Sequence, residues 1–455
     1  MFSEVLSLYQ TAAKMIEGLI LGPFWQFVKN WWWFFLPFFL KDYFLKFWLW
    51  WRFEAFLAAK FNPILFEIKI PKYIKKPIRA MEDVMASLHA IVYHPPDWWE
   101  QWIEGQFQTS LGFEIASIEG EIHFYIRVHE GYVDAVKAAI YSQYPEVELT
   151  ETEDYTKNVP QDIPNKDWDL WASNYTFLRK EEGSEALPIL TYKSFEKEIE
   201  ADEEKIVDPV AALLEALSEI GPGEQLWIQI GATPLSEEKG TAKCDWIKKG
   251  LALRDKLAKR EGLPQIHRRP MVLDAADILV SGKPPEEPKI PEPVGVIPPE
   301  LRLTPGERDI VAALEAKISK QGFNTNIRFI YLGKRNVFKK AKLRLPFTFF
   351  GSFYTHNLNA LIPHGPTLTK IHKEWFLPIN LLRPRRMYLR QRKIFRNYCS
   401  RLSPYFPRDP KETKIVLNTE ELASIFHFPS WRVAPVPGVS RIEARKKAPP
   451  GLPKE

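Results

Sequence analysis

Apolar and polar residues alternate along Phe66, Ile68 and Ile70, which is the period of a half-buried strand. A helical spacing follows over roughly 76–92, with Met81, Val84, Met85 and Leu88 on one face. Phe113 and Ile115, continued by Ser117, predict a second strand, and Gly120 marks a turn. Ile122, Phe124, Ile126 and Val128 alternate as a third strand. Val133, Val136 and Ile140 line one face of a helix, and Val147 and Leu149 mark a last strand. Residues 61–155 therefore predict β-α-β-β-α-β, the ferredoxin-like split motif.

Part of that order returns over 156–335. Strands are expected at 170–178 and 187–192. Asp208 and Pro209 supply an N-cap and a first-turn proline, and Gly221-Pro222 closes the helix they open. Leu226, Ile228 and Ile230 alternate as a strand, and a charged helix is expected over 236–261. Eight prolines between 284 and 305 make an extended linker rather than a packed element. Thr304-Pro305-Gly306-Glu307 reads as a capping box ahead of Ile310, Leu314 and Ile318. Ile327, Phe329 and Tyr331 then make a strand. This predicts a second ferredoxin-like unit, interrupted by an insertion at 236–304 and without an evident third strand. The expected fold class is α+β. N-terminal membrane-associated helices (1–60) are followed by two ferredoxin-like (βαββαβ) units, the second interrupted by a Pro-rich insertion. A basic helical region (336–429) and a Pro-rich tail (430–455) complete the chain.

The N-terminal segment differs in composition from both patterns. Residues 19–40 and 43–59 are strongly apolar and aromatic, and seven of the 16 tryptophans fall in the first 51 residues. These are Trp25, Trp31, Trp32, Trp33, Trp48, Trp50 and Trp51. Tryptophan concentrates at bilayer interfaces, which favours a membrane anchor over a buried hairpin of core helices. A cleaved signal peptide would need a basic start and small residues after a short apolar run, and neither is present. Residues 19–40 have the length of a span. Lys29 and Asn30 sit at its centre, however, where a lysine costs about 3 kcal/mol. In the second stretch Lys41, Asp42, Lys46 and Arg52 leave an aromatic face, as in a helix lying in the interface. Lys60, Lys69, Lys72, Lys75, Lys76 and Arg79 follow the anchor and only Lys14 precedes it. The positive-inside rule then places the chain at the cell membrane with its bulk on the cytoplasmic side.

Composition excludes several classes. Two cysteines in 455 residues, Cys244 and Cys399, rule out a disulfide framework and a cysteine-based zinc site. There is no Gly-x-x-x-x-Gly-Lys-Ser/Thr, no Gly-x-Ser-x-Gly elbow and no His-Glu-x-x-His. His123 and His129 flank a strand end with no third ligand near in sequence. The expectation is a chain that is not an enzyme and holds no cofactor or metal.

The net charge of +5 conceals two opposed stretches. Residues 146–204 carry 17 acidic and 6 basic residues, and 334–408 carry 17 basic residues and one acidic. Within the basic stretch, Arg383, Arg385, Arg386, Arg390, Arg392, Lys393 and Arg396 are interleaved with Tyr388, Phe395 and Tyr398. Arginines beside aromatic rings suit a nucleic-acid backbone and its bases. An anionic-lipid contact and an internal dock for the acidic stretch are the competing readings.

Asn418-Thr419-Glu420-Glu421 caps a short helix ending near Phe426-His427-Phe428-Pro429. Beyond Trp431 the composition is that of an interdomain linker, which points to a partner chain or a further domain. The stretches LNTEELASIFHFP (417–429), APVPGVSRIEARKKAPPGLP (434–453) and GFNTNIRFIYLGKR (322–335), with the aromatic anchor, resemble a known family. It is the non-catalytic N-terminal region of bacterial conjugative DNA-transfer proteins, the type IV secretion coupling ATPases and related HerA/FtsK-type translocases. The resemblance runs from about residue 20 onward. The family's motor has no counterpart here, because no P-loop is present. The resemblance implies a membrane-anchored assembly module for a P-loop DNA-translocase ATPase encoded separately and docked through the tail. DNA and further copies of the chain are the other partners it suggests. Two alternatives remain open: a self-contained membrane-tethered nucleic-acid-binding protein, and an enzyme with an unrecognised site.

Overall fold

The computed structural model describes residues 22–71, 74, 76–197, 208–235, 245–258, 303–370, 382–401, 413–429, 438–439 and 441–442. The linker prolines 284–299 and most of the 430–455 tail lie outside these residues. The chain divides into two compact units.

The first unit comprises residues 22–61 and 96–107. Helix α1 (Gly22–Lys60) is continuous, so the two aromatic stretches expected as separate helices form one, with Pro37 in its interior. Residues 96–107 cover one side of its C-terminal half. They form a π-helical turn, Glu100–Glu104, closed by Gly105 at φ 80°. A Cβ on Gly105 would lie 2.2 Å from the Arg52 carbonyl oxygen, so only glycine permits this approach. Phe107 packs against Phe53, Phe56 and Phe61 at centroid distances of 4.5, 5.9 and 5.6 Å. Trp48 Nε1 donates to the Trp102 carbonyl at 2.9 Å. Away from that contact Trp25, Trp31, Trp32, Trp33 and Trp51 are exposed, as are Trp98 and Trp99, while Trp50 is half-buried. Among the described residues no helix is long and apolar enough to cross a membrane.

The second unit is α+β. Strand β1 (Pro63–Pro71), helix α2 (Arg79–Val92), β2 (Leu111–Ile118), β3 (Glu121–His129), α3 (Val133–Gln143) and β4 (Glu148–Glu151) follow in chain order. Next come β5 (Trp168–Phe177), the short α4 (Tyr192–Lys197), α5 (Pro209–Ser218) and β6 (Glu224–Pro234). Helices α6 (Asp245–Leu257) and α7 (Pro305–Ile318) precede β7 (Gly322–Lys334). Then α8 (Leu345–Gly351), β8 (Leu361–Pro363), α9 (Arg383–Ser400), β9 (Ile415–Asn418), α10 (Thr419–Ile425) and β10 (Arg441–Ile442) complete the order.

All ten strands join one sheet, ordered β10-β1-β3-β2-β6-β7-β5-β8, with β4 also on β1 and β9 on β7. Every strand pairing is antiparallel except that of β10 with β1. The order β4-β1-β3-β2 is followed by its reverse, β6-β7-β5-β8, and the two halves meet along β2 and β6 from Leu111↔Ala232 to Ile118↔Gln225. The third strand of the second half, missing from the sequence pattern, is β7 itself. It pairs with β6 over eleven positions, from Glu224↔Gly333 to Pro234↔Phe323. The insertion therefore runs from β6 to β7 and includes α7, which the sequence pattern assigns to the unit proper. Helices α6 and α7 bury Trp246 and Leu314 in a small cluster of their own with Leu235 and Val416. The strand expected at 187–192 does not form. Leu187 and Ile189 are buried, but the Ile189 N–H donates to the Glu421 carboxylate and the Leu190 N–H to the Phe353 carbonyl.

Period-2 alternation sorts side chains between two faces. Phe66, Phe113, Ile228 and Phe329 join one core with residues of α2, α3, α5, α8 and α10. Leu65, Ala116, Trp227 and Ile330 face a second core, closed by Tyr155, Val159, Ile163 and the α9 residues Ile394, Phe395 and Tyr398. Each fully buried leucine or phenylalanine contributes roughly 1.5–3 kcal/mol. The sheet is thus a middle layer, and α9 is the helix that closes its second face.

Candidate nucleic-acid interface

Helix α9 carries the seven basic residues singled out in the sequence. It is amphipathic at helical spacing: Gln391, Ile394, Phe395 and Tyr398 are buried. Tyr398 lies beside Trp227 at 5.4 Å, and its hydroxyl meets that of Tyr155 at 2.9 Å. Phe395 and Tyr398 are therefore unavailable for base stacking, contrary to the sequence expectation, because they seat the helix on the sheet. Tyr388 is exposed.

The cations divide by position. Arg390 Nη1 donates to the Leu368 carbonyl at 2.7 Å and to that of Lys370 at 3.3 Å. Its pKa is lowered, first by burial and then by neighbouring Arg386. Arg392 Nη1 donates to the Gln161 carbonyl at 3.2 Å. These two residues tie α9 to adjoining segments. Arg383 is half-buried, and Lys393 is exposed. Arg385, Arg386 and Arg396 are exposed, and none forms an ion pair with an acidic group among the described residues. Their charge is directed at solvent.

The C-terminal end of α9 is fixed by a buried ion cluster that sequence spacing did not reveal. Arg401 caps the helix at φ 59°, a left-handed conformation that costs a non-glycine residue about 1 kcal/mol or more. Its guanidinium donates to Glu114 at 2.6 and 3.1 Å and to both carboxylate oxygens of Asp154. Tyr155 and Gln229 donate to the same Glu114 carboxylate at 2.6 and 2.9 Å. Burial opposes the charge on Arg401, but Glu114 and Asp154 outweigh it and hold the guanidinium more firmly protonated. Burial likewise opposes ionisation of Asp154, yet Arg401 and Thr156 hold its pKa below the ordinary value. Arg127, on the same face, is pushed down to about 10 by burial and by Arg401. Cys399 is a free thiol raised by burial to about 11, which makes it a poor nucleophile. The cluster joins residues 114, 154, 229 and 401 and holds the basic helix in register on the sheet.

Beside the N-terminal half of α9 lies an open cleft of about 620 Å³. Lys166, Arg335 and Lys340 contribute its basic lining, Trp171, Phe338 and Tyr388 its aromatic lining. Asp169 is its acidic residue and is engaged by Arg335 at 3.3 Å and by Gln391 at 3.0 Å. Cations from two separate segments, residue 166 and residues 335–340, thus converge beside the helix.

The histidine expectations resolve into ordinary contacts. His123 Nδ1 meets Glu67 at 2.6 Å, and His129 Nδ1 accepts from the Gly131 N–H at 3.1 Å. Among the described residues no group of three histidine, cysteine or acidic side chains could hold a metal ion. No protein-family model matches the chain, and no curated protein matches it.

Proposed function

We propose that this chain is a membrane-held module that binds DNA along α9 and serves as an accessory to a separately encoded DNA-translocating ATPase. One observation carries the reading. The helix presents Arg385, Arg386 and Arg396 to solvent without acidic partners among the described residues, while its other face is locked to the sheet by buried aromatics and the Arg401 cluster. Such a face suits phosphates at fixed spacing, and phosphate contacts dominate affinity for nucleic acid. With Phe395 and Tyr398 buried, α9 presents chiefly charge, and Tyr388 is its exposed ring. The exposed tryptophans of α1 support membrane attachment. With Lys29, Lys41, Lys46 and Arg52 along its length, α1 suits an interfacial position rather than a span.

We read each half of the sheet as a ferredoxin-like unit. Both halves run strand-helix-strand, strand-helix-strand and place the strands in the order fourth-first-third-second, which is the pattern of that motif. Back-to-back pairing of the halves through β2 and β6 makes one wide platform for α9. Resemblance to the coupling-ATPase N-terminal region supports the partnership with a motor, and the tail is the docking segment in this reading. Residues 438–439 and 441–442 already touch this sheet, since the Ile122 N–H donates to the Gly438 carbonyl at 2.8 Å and Arg441 pairs with Ile70. The docking segment is therefore assigned to residues beyond 442.

Vesicle flotation tests the combined activity. Full chain mixed with vesicles and labelled duplex DNA carries the DNA upward with the vesicles. DNA left at the bottom while protein floats would remove the nucleic-acid half of the reading, and protein left at the bottom would remove the membrane half.

A further inference from the structure

The cleft beside α9 has a chemistry that phosphate contacts alone do not use. Its basic rim (Lys166, Arg335, Lys340) borders three aromatic side chains (Trp171, Phe338, Tyr388). Two of those rings are fixed from behind. Trp171 packs on Phe329 and Phe347 at 5.6 and 5.7 Å, and Phe338 stacks on Tyr331 at 4.8 Å. Tyr388 stands free, about 45% exposed, on the exposed side of α9. The polar floor is equally fixed. Gln391 donates to Asp169 and to the Leu170 carbonyl at 3.0 and 2.7 Å, and Arg335 Nε donates to the Asn165 carbonyl at 3.0 Å. The volume of about 620 Å³ falls within the range of small-ligand sites, roughly 300–1,000 Å³.

A lipid headgroup would use the cations and leave the Tyr388 ring without a partner. A nucleotide unit would use both, because a base offers a flat π-face and its phosphate an anion. We propose that the cleft receives one unstacked nucleobase, stacked on Tyr388, with its phosphate on Lys166 and Lys340. This rests on the reading of α9 as a nucleic-acid interface and makes it sharper. In a duplex the bases are already paired and stacked, so the cleft distinguishes unpaired nucleic acid from duplex. The same chemistry could come from a free nucleotide or from a strand.

Fluorescence anisotropy of the full chain tests it, with a labelled oligothymidylate of about 20 nucleotides, the matching duplex, and an abasic strand of equal length as probes. The oligothymidylate is expected to bind more tightly than the abasic strand. Tyr388→Ala is expected to weaken the oligothymidylate by about 10-fold or more and the duplex by less than about 2-fold, while Tyr388→Phe keeps the parent affinity. Competition by thymidine monophosphate at millimolar concentration assigns the source: displacement identifies a free-nucleotide site, and no displacement a strand site. Equal binding of oligothymidylate and abasic strand, or equal losses on strand and duplex, overturns the proposal while leaving phosphate binding by α9 intact. Absence of binding to every probe overturns both.

Discussion

Arg401 is the residue on which the placement of α9 most depends, and the structure gives the size of its effect. Arg401→Met leaves Glu114, which is fully buried, without the guanidinium that pairs with it; among the described residues Tyr155 and Gln229 remain as its donors and Arg127 as a nearby cation. Removing one partner of a buried ion pair costs about 3–5 kcal/mol. Two further variants separate the possible causes. Arg401→Gly loses the same ion pairs but relieves the left-handed backbone, worth about 1 kcal/mol, so its loss is smaller, about 2–4 kcal/mol. Glu114→Gln in the Arg401→Met background removes the orphaned charge, keeps an acceptor for Tyr155, and recovers part of the loss. Guanidinium unfolding reads the stability, and near-ultraviolet circular dichroism reports Trp227 packed between Tyr155 and Tyr398. A loss below about 1 kcal/mol for Arg401→Met, or a double variant less stable than the single one, would refute the view that the cluster clamps α9.

Three other outcomes follow from the same physical reasoning. Lys317 and Glu421 form a fully buried pair at 3.1 Å, with burial lowering the pKa of the lysine and raising that of the glutamate. Lys317→Met is expected to cost about 3–5 kcal/mol in chemical unfolding and Lys317→Met/Glu421→Gln distinctly less; equal losses would contradict this. Gly105→Ala drives a Cβ against the Arg52 carbonyl and is expected to release residues 96–107 from α1, seen as faster proteolysis between Pro96 and Phe107, and parent-like resistance would contradict it. Asp154, Glu224 and Glu420 have folded pKa values below their ordinary ones, each against burial, through Arg401, Lys342 and Lys193 with Lys320 respectively. The unfolded chain therefore binds more protons in acid, so stability is full near neutrality and falls progressively below about pH 4, with no fall in urea midpoints there as the contrary result.

The first half of the sheet was legible because its strands alternate cleanly and its helices carry one apolar stripe. The second half was harder for identifiable reasons. Strand β7 is buried on nearly every residue, so it shows no alternation beyond Ile327, Phe329 and Tyr331. Helix α8 is seven residues of LPFTFFG and β8 is three, too short to carry a period. Residues 187–192 look like a strand because they are apolar, but their backbone groups bond to a glutamate side chain and a loop. On α9 the spacing of Gln391, Ile394, Phe395 and Tyr398 fits the face that is buried, but the density of arginines masks it and draws Phe395 and Tyr398 into the wrong role. The cluster of Glu114, Asp154, Gln229 and Arg401 was illegible, because its members meet only after β2, β6 and α9 have packed. The fold of residues 96–107 onto α1 depends on one glycine and one phenylalanine, which no periodicity marks.

The salt dependence of DNA binding by the full chain tests the central claim most directly. If Arg385, Arg386 and Arg396 neutralise about three phosphates, log affinity for duplex falls against log salt with a slope of about −2.7. The variant Arg385→Glu/Arg386→Glu/Arg396→Glu should then bind at least about 100-fold more weakly at low salt and show a slope near zero. Parent-like affinity and slope in that variant would contradict α9 as the nucleic-acid interface.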